Sequence, residues 1–112
     1  MLPKYEYTKM ENIPSEVILE TRESTKLEDG SIYEGEWNTL TNLRHGCGKQ
    51  IWQNGSIFEG NLKDGAINGQ GRFIYALGDV YEGEWKDDMA NGFGCHTDCE
   101  GTKYEGNFFE NM

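Results

Sequence analysis

One five-residue motif is written four times along this 112-residue chain: Tyr33-Glu34-Gly35-Glu36-Trp37, Phe58-Glu59-Gly60-Asn61-Leu62, Tyr81-Glu82-Gly83-Glu84-Trp85 and Tyr104-Glu105-Gly106-Asn107-Phe108. The starts lie 25, 23 and 23 residues apart. Such a period constrains the fold more than composition does, because so short a unit cannot bury a face alone and must stack on its copies. The two extra residues of the first interval fall between Trp37 and Gly46, which predicts a longer loop there. A glycine pair follows each of the first three motifs, at Gly46 and Gly48, Gly69 and Gly71, and Gly92 and Gly94. A lone glycine comes after each pair, at Gly55, Gly78 and Gly101, and the next motif begins three residues later.

Within a motif, Tyr81, Gly83 and Trp85 alternate with Glu82 and Glu84, the period of a half-buried strand. Glycine at this density excludes helix. Lys63-Asp64-Gly65 and Lys86-Asp87-Asp88 read as turns within hairpins, and Asn54-Gly55 and Leu77-Gly78-Asp79 as links between them. Gly30 precedes Tyr33 by the same three residues, so 24–30 reads as half a repeat. The expected fold is all-β: an elongated single-layer antiparallel sheet of tandem hairpins over 24–112, with repeats starting at 33, 58, 81 and 104 and the last incomplete. Residues 1–23 form an N-terminal extension, expected as a cap over the first strands or as a loose tail. At about 4.8 Å per strand each repeat advances about 10 Å, so the array is expected to be a short rod.

A sheet one layer thick must find its stability on one face. Rings packing over bare glycine backbone supply it, each well-buried ring contributing roughly 1.5–3 kcal/mol. The expected structural glycines are Gly35, Gly46, Gly48, Gly55, Gly60, Gly69, Gly71, Gly78, Gly83, Gly92, Gly94, Gly101 and Gly106. The expected ring row is Tyr33, Trp37, Trp52, Phe58, Tyr75, Tyr81, Trp85, Tyr104 and Phe108, which is also the expected partner-binding face. On the other side Glu34, Glu36, Glu59, Glu82, Glu84 and Glu105 form an expected acidic face. Pairs such as Glu82 and Glu84 have the residue types for glycoside hydrolysis, but recurrence in every hairpin points to a solvated surface able to steer a basic partner.

Acidic residues outnumber basic ones 20 to 10, for a net charge of −10. That balance opposes contact with nucleic-acid phosphates and with anionic lipid headgroups. No run approaches the roughly 20 apolar residues of a membrane-crossing helix, and the reading is cytoplasmic. Cys47, Cys95 and Cys99 form no C-x-x-C pair, so reduced thiols are expected. Cys95, His96 and Cys99, with His45 and Cys47 elsewhere, hold metal-ligating atoms, yet on a strand Cys95 and Cys99 would lie about 13 Å apart. No metal is expected. The Gly-x-Gly pairs have neither a following helix nor a phosphate-binding lysine, so no nucleotide or other cofactor is expected either.

The sequence aromatic-x-Gly-x-aromatic, Gly-x-Gly, lone Gly, carried by Tyr81, Gly83, Trp85, Gly92, Gly94 and Gly101, resembles the MORN repeat (membrane occupation and recognition nexus). The resemblance covers residues 24–112, with departures at Leu62, where the second aromatic is lost, and at Asp98, where Trp52 and Tyr75 stand in the earlier units. It implies a non-enzymatic protein-binding scaffold in a ciliary, axonemal (radial-spoke) or other cytoskeletal assembly. It leaves open a regulatory arm of a larger enzyme of the lipid-kinase or methyltransferase type, and a phospholipid-binding adaptor. The partner is expected to be a peptide, a helix or an edge strand of another subunit. The edge at 104–112 either continues into a longer array or pairs with another chain, including a second copy.

Overall fold

A computed structural model describes residues 4–5 and 17–111. It contains strands β1 (Leu19–Lys26), β2 (Ile32–Asn38), β3 (Leu43–Ile51), β4 (Ile57–Lys63), β5 (Ala66–Ile74), β6 (Val80–Lys86), β7 (Met89–Thr97) and β8 (Lys103–Asn111). All pairings are antiparallel and the strands lie in sequence order, so the sheet is one continuous meander. No helix occurs among the described residues. The tandem-hairpin architecture read from the motif period is the one observed.

Turn chemistry sets the hairpins. Asp64-Gly65 and Asp87-Asp88 form two-residue loops with positive φ at both positions, 50° and 82° in the first and 48° and 69° in the second. These are the mirror-image turns whose twist matches the flanking strands. Asp88 holds its strained conformation by a two-way latch on β5: its N–H donates to Ile67 O at 3.0 Å, and its Oδ1 accepts from Ile67 N–H at 2.8 Å. The first hairpin uses the longer loop 39–42 instead, where the two extra residues were expected. Between hairpins one turn recurs four times, closed by bonds from Leu27, Trp52, Tyr75 and Asp98 N–H to Ser31, Ser56, Asp79 and Thr102 O.

The strands bend sharply. Residues four apart on a straight strand sit about 13 Å from each other, yet the ring centroids of Tyr33 and Trp37 are 5.2 Å apart and edge-to-face, as are those of Tyr81 and Trp85. The bend is at the glycine between them. Register shifts between Gly35 and Trp37, Gly60 and Leu62, and Gly83 and Trp85 mark a β-bulge in each of the first three motif strands. The bulges let Gly35, Gly48, Gly60, Gly71, Gly83, Gly94 and Gly106 pair in one unbroken row across seven strands. Rings fold over this row from both sides, so the sheet curls around them.

The Cα envelope measures 42 × 29 × 24 Å, and its long dimension is close to the roughly 38 Å that eight strands at about 4.8 Å span, so the short elongated array expected from the repeat is the one observed, curled across its width. The array starts earlier than residue 24, because Leu19–Arg22 pair with Gly35–Asn38 and so cover an edge of β2 that would otherwise be open. Residues 1–3 and 6–16 of the expected cap lie outside the described residues. Tyr5 does not lie over the first strands: its ring is 5.4 Å from the Arg72 guanidinium of β5.

Candidate binding surfaces

On the concave side the motif rings seat on glycines of the next strand. A Cβ built on Gly48 would lie 2.6 Å from Tyr33 Cζ, one on Gly71 2.6 Å from Phe58 Cζ, and one on Gly94 2.5 Å from Tyr81 Cζ. Each is well inside contact distance, so only glycine leaves the seat open. Tyr33, Trp37, Phe58, Tyr81 and Trp85 are at most 7% exposed, and Leu62 fills the place of the missing second aromatic at 0%. Phe73, which the expected ring row omits, links Trp52, Phe58, Tyr75 and Trp85 at 4.5–6.4 Å. Tyr81, Phe108 and Tyr104 continue the chain at 4.9 and 5.3 Å.

The expected partner-binding ring face is therefore corrected for its central members. Tyr33, Trp37, Phe58, Tyr81 and Trp85 are interior, and Trp52, Tyr75 and Phe108 are half-buried against them. Tyr104, at 56%, keeps an accessible ring. Burial pushes the Tyr81 phenol up to about 12, aided by the Glu84 carboxylate, and raises that of Tyr33 further. Both hydroxyls donate into the bulge, to Glu36 O at 2.8 Å and Glu84 O at 3.0 Å. Trp85 Nε1 donates to Gly71 O at 3.0 Å, whereas the buried Nε1 of Trp37 meets no acceptor among the described residues. Fourteen residues before Trp37 lies Glu23, in the irregular part of β1, so the matching carbonyl is displaced.

The convex side carries three rows that only the strand register reveals. The first runs Glu34, Lys49, Glu59, Arg72, Glu82, Cys95, Glu105. This corrects the acidic face: carboxylates alternate with bases over five strands, and Arg72 approaches Glu82 to 3.7 Å. The second row explains Glu36 and Glu84. Each carboxylate accepts a backbone N–H that the bulge has freed from the ladder, Cys47 at 2.8 Å and Phe93 at 2.7 Å. Asn61 does the same for Gln70 at 3.0 Å. These side chains are clamps, so the pairs Glu34/Glu36 and Glu82/Glu84 are not two free carboxylates facing a common substrate.

The third row was missed. Ile32, Ile51, Ile57, Ile74 and Val80 pair in succession across β2–β6, all on the convex side. Ile32 is 43% and Ile51 37% exposed, and the other three are half-buried. Its signal was present, since an aliphatic residue precedes each of the first three motif rings; register was needed to align them into a stripe. Four strand spacings make it about 19 Å long.

The remaining candidate atoms have local duties. His45 Nδ1 accepts from Asp64 N–H at 3.2 Å, and Asn68 Oδ1 does the same for Asp87 one repeat later. His96 Nε2 lies 3.1 Å from Asp79 Oδ2. Among the described residues no three His, Cys, Asp or Glu side chains gather as metal ligands, and no helix is long and apolar enough to cross a membrane.

Against known proteins, a family model described as the MORN repeat matches residues 42–57, 58–80 and 81–103, more than half the chain. The second and third matches begin at the motif rings Phe58 and Tyr81. No curated protein matches the chain significantly.

Proposed function

This chain belongs to the MORN-repeat family, and on that premise we propose that it is a protein-binding module that docks partners on its convex face, along the aliphatic row Ile32, Ile51, Ile57, Ile74 and Val80. Repeats of this family are binding modules of proteins or membranes. The observation that carries the protein reading is the division of labour between the faces: the concave rings are spent on the fold, while an apolar stripe, exposed at Ile32 and Ile51 and half-buried beyond them, runs beside a row of alternating charge. The best-fitting partner is an amphipathic helix lying across the strands. Its turns recur every 5.4 Å or so, close to the strand spacing of about 4.8 Å, and its flanking charges meet Lys49, Glu59, Arg72 and Glu82.

A net charge of −10 argues against anionic lipid as the ligand. The engagement of Glu36 and Glu84 in backbone bonds argues for a scaffold over a catalyst. A cytoplasmic scaffold within a cytoskeletal or ciliary assembly is proposed on the family resemblance alone. The test places a photo-crosslinking phenylalanine analogue at Ile32 or Ile51 and, as a control, at the exposed Glu23. Protein adducts from the first two positions and none from the control are expected. Co-sedimentation with anionic vesicles, weakened by salt and without such adducts, would replace the protein reading with the lipid one.

A further inference from the structure

We propose that the convex surface of β5–β7 carries a seat for a tyrosine ring, closed in this chain by its own Tyr5 and entered by a tyrosine on an extended segment of a partner protein that displaces it. The proposal rests on the protein-binding reading above but names a different part of the same face.

Three observations carry it. Arg72 is 9% exposed and its guanidinium, lying 3.7 Å from the Glu82 carboxylate, sits 5.4 Å from the Tyr5 ring centroid. A cation held in place beneath an aromatic ring is a recognition element, because the ring's negative face is attracted to it. Next to Tyr5 an open groove of about 320 Å³ continues between Gln70, Glu82, Glu84, Phe93 and Cys95. The ring therefore occupies one end of a longer furrow.

The third observation comes from repeat arithmetic. Phe93 stands where the earlier units carry Cys47 and Gln70, and Cys95 where they carry Lys49 and Arg72. The charge row is thus broken on β7, where a long basic side chain at 95 would reach into the furrow, and an apolar wall replaces it. Phe93 remains 57% exposed beside Tyr5, so the wall has spare surface for a larger guest. Desolvation first, and then the Glu82 carboxylate, push the Tyr5 phenol up to about 12, in keeping with a seated ring.

The test measures anisotropy of a fluorescein-labelled peptide of residues 1–10 against the full chain, its Tyr5→Ala variant, and a Tyr5→Ala chain that also carries Phe93→Gln and Cys95→Arg. The last two changes restore the side chains of the second repeat, so circular dichroism and the thermal midpoint should be kept. The peptide is expected to bind the Tyr5→Ala chain at least about tenfold more tightly than the intact chain, whose seat is already filled in cis. Replacing Tyr5 in the peptide, or refilling the seat with Gln and Arg, is expected to abolish binding. Equal affinity for the intact and Tyr5→Ala chains, or binding indifferent to the peptide's Tyr5, would overturn the seat. Crosslinks through Ile51 that persist in the Phe93→Gln/Cys95→Arg chain, while peptide binding is absent from every chain, sink the seat and leave the docking stripe standing; peptide binding without such crosslinks does the reverse.

Discussion

Replacing Gly71 with alanine places a methyl group 2.6 Å from Phe58 Cζ, roughly 1 Å inside ordinary contact. Phe58 has nowhere to retreat: it is 0% exposed, with Trp85 at 5.9 Å and Phe73 at 6.4 Å. Gly71 does not have a positive φ, so alanine meets no backbone strain and should gain about 0.5–1 kcal/mol for leaving glycine's freedom behind. Overpacking costs about 1–3 kcal/mol. The net expectation is a loss of about 1–2 kcal/mol, seen as a lower urea midpoint by far-UV circular dichroism and a melting temperature lower by roughly 5–10 °C. A double-mutant cycle isolates the cause. Phe58→Ala alone should cost about 3–5 kcal/mol, and the pair should fall short of additivity by about 1–3 kcal/mol, because alanine at 71 clashes with nothing once the ring is gone. Gly55→Ala is the control: nothing lies within 4 Å of its Cβ, but its φ is +93°, so it should lose about 1–2 kcal/mol to strain with no coupling to Phe58. A Gly71→Ala protein as stable as the parent, or strict additivity with Phe58→Ala, would refute the seating of the ring.

Three further outcomes follow from the same geometry. Trp85→Phe should cost about 1 kcal/mol more than Trp37→Phe in urea unfolding, since the first leaves Gly71 O without its donor and the second removes an N–H that has no acceptor; equal costs would contradict the difference. Glu84→Ala should accelerate amide exchange at Phe93 and cost up to about 1 kcal/mol, whereas Glu84→Gln, which keeps an acceptor, should do neither; matching exchange in both would show that no clamp exists. The folded state favours the protonated phenols of Tyr33 and Tyr81, so their contribution is complete below the unfolded value of about 10 and is lost as pH rises towards 12. The urea midpoint should hold up to about pH 9.5 and then decline, less steeply in Tyr33→Phe/Tyr81→Phe; a flat profile to pH 12 would count against burial of the hydroxyls.

Local pattern carried the hairpins and the ring-on-glycine packing, because both depend on residues within one period of each other, such as Phe58 and Gly71. Cross-strand register was not legible, and what depends on it was misread. Glu36 and Glu84 alternate with buried rings and so read as solvated carboxylates; their bonds to Cys47 and Phe93 N–H exist because a bulge leaves those amides unpaired. The bulge had a signal, Gly46 and Gly92 with φ of 96° and 105°, where an added Cβ would meet these same carboxylates. Lys49 and Arg72 likewise enter the row of Glu34, Glu59 and Glu82 only once the strands are aligned. Curling moved Trp37 and Trp85 from a platform to an interior. The placement of Tyr5 on Arg72 joins residues far apart in sequence with no periodic signal between them.

A two-dimensional nuclear Overhauser spectrum with assigned glycine Hα resonances reads the seats of the curled sheet directly. Strong cross-peaks from the rings of Tyr33, Phe58 and Tyr81 to the Hα protons of Gly48, Gly71 and Gly94, shifted upfield by the overlying rings, are the predicted result. Sharp, motionally averaged ring signals without those cross-peaks would mean that the rings lie open on the sheet, and the assignment of the concave face to the fold and the convex face to partners would be wrong.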